Sequence, residues 1–253
     1  MNLKNNIKRI IKNIVNKLNK IASKRERNIL LISYSGYRDN LKAIGDYLIN
    51  NEYLKKYRLY VYVPKEVYRA KDFSKEIKVI HSKLVMVIYH ITSKYIFYSY
   101  EQIKIKPSKD QIVIHMWHGS PLKKIENLER EEKRENCFFT KLFATSEYFK
   151  TIMAQAFSCK LDQVVLCGQP RNDVLFKKNK KPEFLNEDEK LILWTPTYRK
   201  ATSINRSDGN LKNIIPIFLQ KDYDCLNEYL KKNKIKLLIK LHPAEDIKDS
   251  DMI

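Results

Sequence analysis

The chain is 253 residues long and carries 49 Lys and Arg against 29 Asp and Glu, a formal charge of +20, with 43% hydrophobic residues. That apolar content excludes a disordered polycation, and the length suffices for one large or two modest α/β domains. So high a charge favours anionic partners: nucleic acid, an anionic membrane surface or phosphorylated substrates.

The first 27 residues hold nine Lys or Arg and one acid, Glu26. Leu3, Ile7, Ile10, Ile11, Ile14, Val15, Leu18 and Ile21 recur there at steps of three and four, which is one face of a helix with Lys, Arg and Asn opposite. A basic amphipathic helix of this kind suits an anionic membrane surface. It suits equally a helix packed on the protein with its basic face in solvent. It is not a secretory signal, because charges run through it and no unbroken apolar core follows.

"NILLISYSG" (28–36) then reads as a strand ending in a glycine turn, and "RDNLKAIGDYLIN" (38–50) as the helix after it. "YRLYVYV" (57–63) is a second strand, a charged helix-like stretch follows, and "IKVIH" (77–81) is a third strand. The apolar segment from residue 84 is helical and passes into an extended run at 95–99. His90 and Lys94 interrupt it, so it lacks the roughly 18 uncharged residues of a membrane span. "QIVIHMW" (111–117) and "KLFATS" (141–146) are strands, "EYFKTIMAQAF" (147–157) is a helix, and "VVLCGQP" (164–170) closes this part.

Strands alternating with helices predict parallel sheets covered on both faces. The polar stretch 177–190 reads as a linker. The expected organisation is therefore a basic helix at 1–27, a Rossmann-like domain at 28–176 and a second unit at 191–253. That second unit contains "LILWTPTYR" (191–199), the helix "LNEYLKKN" (226–233) and the strand "IKLLIKLHP" (235–243). Cys137, Cys159, Cys167 and Cys225 form no CxxC pair and have no His at zinc spacing, so they read as reduced thiols. The 16 Tyr sit in apolar runs instead of alternating with Lys, which argues against nucleic acid as the partner.

The stretch "IVIHMWHGSPLKKI" (112–125) carries chemistry. Ligands of open α/β sheets sit beyond the carboxyl ends of strands. His118 there can trade protons near neutral pH, and Gly119 lets a backbone amide approach an anion closely. Lys123 and Lys124 add charge. Taken alone, the segment fits a capping His before a solvated basic helix start better than a site. A second strand, however, ends at His242 in "KLHP". Two α/β units facing each other would bring both strand ends to one place.

In this order, "WHGSPLKKI", "GQPRND", "WTPTYR" and "IKLHP" resemble the motifs of the CDP-glycerol glycerophosphotransferase family, which makes the poly(glycerol phosphate) of wall teichoic acids and related polymers. The resemblance implies an α/β protein with two Rossmann-like units of GT-B type behind the basic helix, peripheral at the cytoplasmic face of the membrane. It implies CDP-glycerol or a related CDP-polyol as donor and a lipid-linked acceptor; no cofactor is expected, and no carboxylate cluster in the sequence marks a magnesium site, so cationic side chains would carry the charge stabilisation. An acceptor hydroxyl would attack the β-phosphorus, and CMP would leave.

Carried over motif by motif, His118 is the general base, an effect typically worth about 10²–10⁴-fold. His242 would hold the pyrophosphate or assist the leaving CMP. Arg171 and Arg199 would donate to phosphate oxygens. Gly119, Ser120, Thr195, Thr197 and Lys240 would contact substrate, and Asp173 would orient a neighbour. A local Arg171–Asp173 ion pair fixing the turn competes with the binding role.

Some residues depart from the family's pattern. Ser120 stands where Thr is usual, and Glu126 where Gly often follows. Family members continue for roughly another half domain past the position of Ile253, so the second unit is expected to be incomplete with an exposed edge strand. Two other functions fit. One is a nucleotide-sugar glycosyltransferase, which usually uses a Glu-containing motif late in its second unit. The other is a shortened homologue that binds membrane or nucleotide without turnover.

Overall fold

The computed structural model describes residues 3–100, 103–177, 180–196, 200–201, 206–207 and 220–241. The chain divides into two units, Met1–Lys178 and Asn179–Ile253. In the first, α1 (Leu3–Ile21) leads into β1 (Arg25–Ile32), α2 (Asp39–Asn50), β2 (Arg58–Tyr62), β3 (Lys78–Ile80), α3 (Lys83–Thr92) and β4 (Ser93–Tyr98). Then come β5 (Ile112–His115), β6 (Lys141–Ala144), α4 (Glu147–Ala156) and β7 (Val164–Leu166). The seven strands are parallel throughout, in the order β3-β2-β1-β4-β5-β6-β7. This is the Rossmann order with one strand added.

The sheet is buried on both faces because its strands are apolar at consecutive positions. Leu30 and Ile32 of β1 join Tyr62, Ile96, Val113 and Leu142 on one face, under Met86 of α3 and Met153 of α4. Ile29 and Leu31 join Leu59 and Val61 on the other, under Leu41 of α2. Serine side chains start two of the helices. Ser82 accepts a hydrogen bond from the Val85 amide at α3, and Ser146 from the Phe149 amide at α4. In α2, Gly45 leaves room for Tyr37: a β-carbon there would lie 1.8 Å from the Tyr37 hydroxyl.

The charged stretch after β2 does not form the expected helix. It makes two 3-10 turns, Lys65–Val67 and Ala70–Asp72. Its apolar anchors Tyr68 and Phe73 stand five apart, which puts them on different sides of a helix. Released from a helix, Phe73 stacks on Tyr37 with ring centres 4.8 Å apart and also contacts Tyr68.

Helix α1 docks through its polar edge. Asn19 is fully buried and donates from Nδ2 to the Lys106 carbonyl (2.8 Å) and to Gln111 Oε1 (2.8 Å). Lys24 follows and donates to the carbonyls of Asn19 (2.5 Å) and Ile91 (2.7 Å). Asn16 Oδ1 accepts from the Lys106 amide, and Lys12 pairs with Glu135 (3.1 Å). The apolar stripe is left outside, with Ile10 56%, Ile14 51% and Ile21 79% exposed. Packing of the apolar face on the protein, one of the two placements the sequence allowed, is thus not what the chain adopts. The side chains that bury themselves are the ones that find hydrogen-bond partners.

In the second unit, β8 (Lys190–Trp194) precedes the short antiparallel pair β9 (Lys200–Ala201) and β10 (Arg206–Ser207). Helix α5 (Gln220–Lys232) starts earlier than its apolar pattern indicated and packs on β11 (Ile235–Ile239), which pairs in parallel with β8. Lys234–Asp188 and Lys236–Glu189 ion pairs flank the two strands. All four cysteines are free, and Cys225 of α5 is exposed. Burial pushes the thiols of Cys159 and Cys167 up to about 12 and about 11, and raises that of Cys137.

Candidate active site

The strand order turns back between β1 and β4, and such a switch point opens a crevice at the carboxyl ends of the strands. The segments that follow β1, β4, β5 and β7 supply the side chains gathered there. Strand β5 ends at His115, three residues before the imidazole expected at its tip. The His115 ring is buried, stacked on Tyr98 at 4.5 Å and edge-on to Phe157 at 5.0 Å. Burial pushes its pKa down to about 3 against the favourable Ser99 backbone, so it is a neutral core residue.

Beyond it the backbone reverses through left-handed conformations at Trp117 (φ 55°) and Gly119 (φ 144°). Glycine adopts such angles freely, whereas the tryptophan bears strain that its surroundings must hold. Two buried amides hold it. Asn40 Nδ2 of α2 donates to the Trp117 carbonyl (3.1 Å) and to Gln169 Oε1 (2.6 Å), while Gln169 Nε2 donates to the Met116 carbonyl (3.4 Å). The Arg171 amide donates to Asn40 Oδ1 (3.2 Å), which ties the turn after β7 to the same clamp.

The clamp presents His118. Its ring lies nearly parallel to Tyr100, 5.1 Å away at 13°, and beside Trp117 at 3.9 Å. Tyr100 donates its hydroxyl to Asp39 Oδ2 (2.5 Å). Arg171 donates from Nη1 to Asp39 Oδ1 (2.9 Å) and from Nη2 to the His118 carbonyl (2.8 Å). The four residues close a ring at the start of α2.

The charges follow from this geometry. Partial burial between two aromatic rings lowers the His118 pKa although one edge stays open to water; Arg171 lowers it further, and Asp39 and Glu126 oppose. Burial works to raise the Asp39 carboxyl, but the Tyr100 and Arg171 hydrogen bonds outweigh it and hold the group below its ordinary value. Burial, then the Asp39 hydrogen bond, pushes Tyr100 up to about 12.

Of the residues expected from the sequence, His118, Gly119 and Arg171 come together here. Ser120 is exposed, its hydroxyl 2.5 Å from that of Thr145 after β6. Asp173 is exposed on the Pro170–Phe176 turn, but the carboxylate that pairs with Arg171 is Asp39, so the local Arg171–Asp173 pair is replaced by a long-range one. In the second unit, Thr195 follows β8 and Lys240 follows β11, at the same ends of two paired strands, and the Lys240 amide donates to the Trp194 carbonyl (2.9 Å). Thr197, Arg199 and His242 lie outside the described residues.

Asp39, Asn40, Tyr100 and Gln169 were not anticipated. Only "GQP" and "RDN" hinted at them, as polar residues at the punctuated end of a strand and at the start of a helix. Among the described residues, no three His, Cys, Asp or Glu side chains are grouped to hold a metal ion.

A seven-stranded parallel sheet with a built crevice at its switch point defines a Rossmann-like α/β protein. The chain belongs to the CDP-Glycerol:Poly(glycerophosphate) glycerophosphotransferase family, whose model matches residues 14–251. It is 27% identical over 260 residues to the teichoic acid poly(glycerol phosphate) polymerase of Bacillus spizizenii, covering 92% of this chain and 63% of that one. It is 24% identical over 274 residues to the teichoic acid glycerol-phosphate transferase of Staphylococcus aureus, covering 95% and 66%. The structure of the wall teichoic acid polymerase TagF superposes with a TM-score of 0.70 at 20% identity, over 96% of this chain and 66% of that one. The GT-B-like α/β fold is thus shared with TagF. The chain spans just under two thirds of the length of these proteins.

Proposed function

We propose that the chain transfers glycerol phosphate from CDP-glycerol to a lipid-linked acceptor in the synthesis of teichoic acid or a related polymer. The observation that carries this is the clamped His118 turn at the switch point, inside the family-matched residues. The acceptor hydroxyl forms a bond to the β-phosphorus and gives its proton to His118. The bond between that phosphorus and the bridging oxygen breaks, and CMP departs with the electron pair. A lowered pKa keeps His118 neutral and able to accept the proton near pH 7. The Gly119 amide and Ser120 hydroxyl lie on the His118 loop, near a transferring phosphoryl group, while Arg171 acts through the His118 carbonyl and offers charge nearby. Donor binding falls to Thr195, Thr197, Arg199, Lys240 and His242 in this reading, with Asp173 shaping the turn that carries Arg171.

The chain works at an anionic membrane surface, on the cytoplasmic side where CDP-linked donors are made. Support comes from the exposed isoleucines of α1 flanked by its cations, and from Leu84 and Ile88 of α3, exposed on a helix that packs against α1. Among the described residues no helix is long and apolar enough to cross a membrane.

The test is CMP release from CDP-glycerol by the full chain with a lipid-linked glycerol phosphate acceptor in vesicles, with CDP-ribitol as a second donor. Turnover is expected in the wild type, and His118→Ala should lower it by about 10²–10⁴-fold with the fold unchanged. A mutant releasing CMP at the wild-type rate excludes His118 as the base. Absence of CMP release by the wild type with both donors favours the reading without turnover.

A further inference from the structure

A cavity of about 460 Å³ opens beside His118, lined in part by the rings of Tyr100, Trp117 and Phe138. That volume falls within the range of small-ligand sites, about 300–1,000 Å³. Lys104, Arg130 and Arg134 line the same space. Two acids also line the space. Glu135 is neutralised where it stands, because Lys12 (3.1 Å) and Lys106 (2.6 Å) both pair with it and hold its carboxyl below the ordinary value. Among the described lining residues, Glu126 is thus the one uncompensated anion, and the side-chain nitrogens of Lys104, Arg130 and Arg134 meet no partner there. Unpaired cations around a concave space with an aromatic wall fit an anion that also has an apolar part.

Two placements say which anion. In-line displacement puts the attacking hydroxyl and the leaving group on opposite sides of the phosphorus. His118 lies in the cavity wall, so with His118 as the base the cavity lies on the acceptor side. The cavity is also tied to α1: the same Lys12 that pairs with Glu135 lies over the Phe138 ring, 5.1 Å from its centre. The cavity thus adjoins the helix with the exposed isoleucines.

We propose that this cavity is an acceptor subsite for a phosphodiester-linked polyol chain. The phosphates sit among Lys104, Arg130 and Arg134, the carbon skeleton lies against Trp117 and Phe138, and the terminal hydroxyl points at His118. This rests on the proposed transferase function, which supplies the role of His118. It adds a site that reads the growing end of the product, separate from the donor site.

The experiment titrates the full chain by calorimetry with four probes: a synthetic tri(glycerol phosphate), triglycerol of equal length without phosphate, inorganic phosphate, and CDP-glycerol. The wild type should bind the tri(glycerol phosphate) more tightly than inorganic phosphate and triglycerol, with affinity falling as salt rises. The exposed pair Arg130→Gln and Arg134→Gln should weaken it on the order of tenfold per cation removed, since one charge-assisted contact corresponds to about that ratio. The same pair should leave CDP-glycerol affinity unchanged. Unchanged affinity for the oligomer in the double variant overturns the subsite. So does triglycerol or inorganic phosphate binding as tightly as the oligomer, or an equal loss of CDP-glycerol binding, which would move the cations to the donor side. Failure of the wild type to bind CDP-glycerol while it binds the oligomer strikes the proposed function and spares the subsite.

Discussion

Partial burial is the first cause of the lowered His118 pKa, and opposed charges on three other segments tune it. Arg171 lowers its pKa, while Asp39 and Glu126 raise it. The signs separate in mutants. If deprotonated His118 is the working form, the rate rises with pH to a plateau, and the rise centres below the ordinary histidine value of about 6.5. Asp39→Asn removes an anion that favours the charged imidazolium, so the rise moves to lower pH. Arg171→Gln removes a cation that disfavours it, so the rise moves to higher pH. Ring-nitrogen NMR of His118 across a pH series checks both shifts without needing turnover; shifts of the same sign, or none, would contradict the assigned contacts. His118, Gly119 and Arg171 were legible in the sequence because each sits in a compact motif beside glycine or proline. Asp39, Asn40 and Tyr100 were not, because their meaning lies in which loops converge at the β1–β4 switch, and that is a property of strand order and not of spacing.

At the level of elements, the seven strands of the parallel sheet and the β8 and β11 pair were legible from their β-branched and aromatic runs, and α2 and α4 from their apolar spacing, whereas the two-residue strands β9 and β10, with no apolar run, were not. The stretch between β2 and β3 misled, since its charges look helical while its aromatics do not share a face. Helix α1 was legible as a helix, but its docking edge was not: periodicity reveals an apolar stripe, whereas the buried stripe is made by Asn16 and Asn19 finding backbone partners. Asn19→Ala should cost about 1–3 kcal/mol locally by orphaning the Lys106 carbonyl and its neighbours. Hydrogen exchange should speed up in residues 3–21 and stay unchanged in β1; equal protection throughout α1 would mean the amide contacts do not hold the helix. In α2, Gly45→Ala tests packing against propensity. Alanine favours a helix by up to about 1 kcal/mol, but its methyl would collide with a Tyr37 ring that is buried and stacked on Phe73. Overpacking costs about 1–3 kcal/mol, so the urea midpoint should fall with the slope unchanged; a rise would mean that Tyr37 moves freely.

For the molecule as a whole, the outward isoleucines and the net charge combine into one expectation. Burying one such side chain in lipid is worth about 1.5–3 kcal/mol, and the cations of α1 add attraction that salt screens. Ile10→Glu with Ile14→Glu should therefore abolish co-sedimentation with vesicles of phosphatidylglycerol and phosphatidylcholine while leaving the circular dichroism spectrum intact. Equal sedimentation of mutant and wild type would detach α1 from the membrane reading.

The uneven burial of the thiols gives the chain a built-in chemical handle. A maleimide reacts with thiolate, and burial starves Cys137, Cys159 and Cys167 of that form while Cys225 stands in water on α5. One equivalent of a fluorescent maleimide at pH 7 should land on Cys225, as peptide mass spectrometry would show. The dye would then report from the second unit alone. Changes of its anisotropy on adding CDP-glycerol could be followed apart from everything that happens around His118.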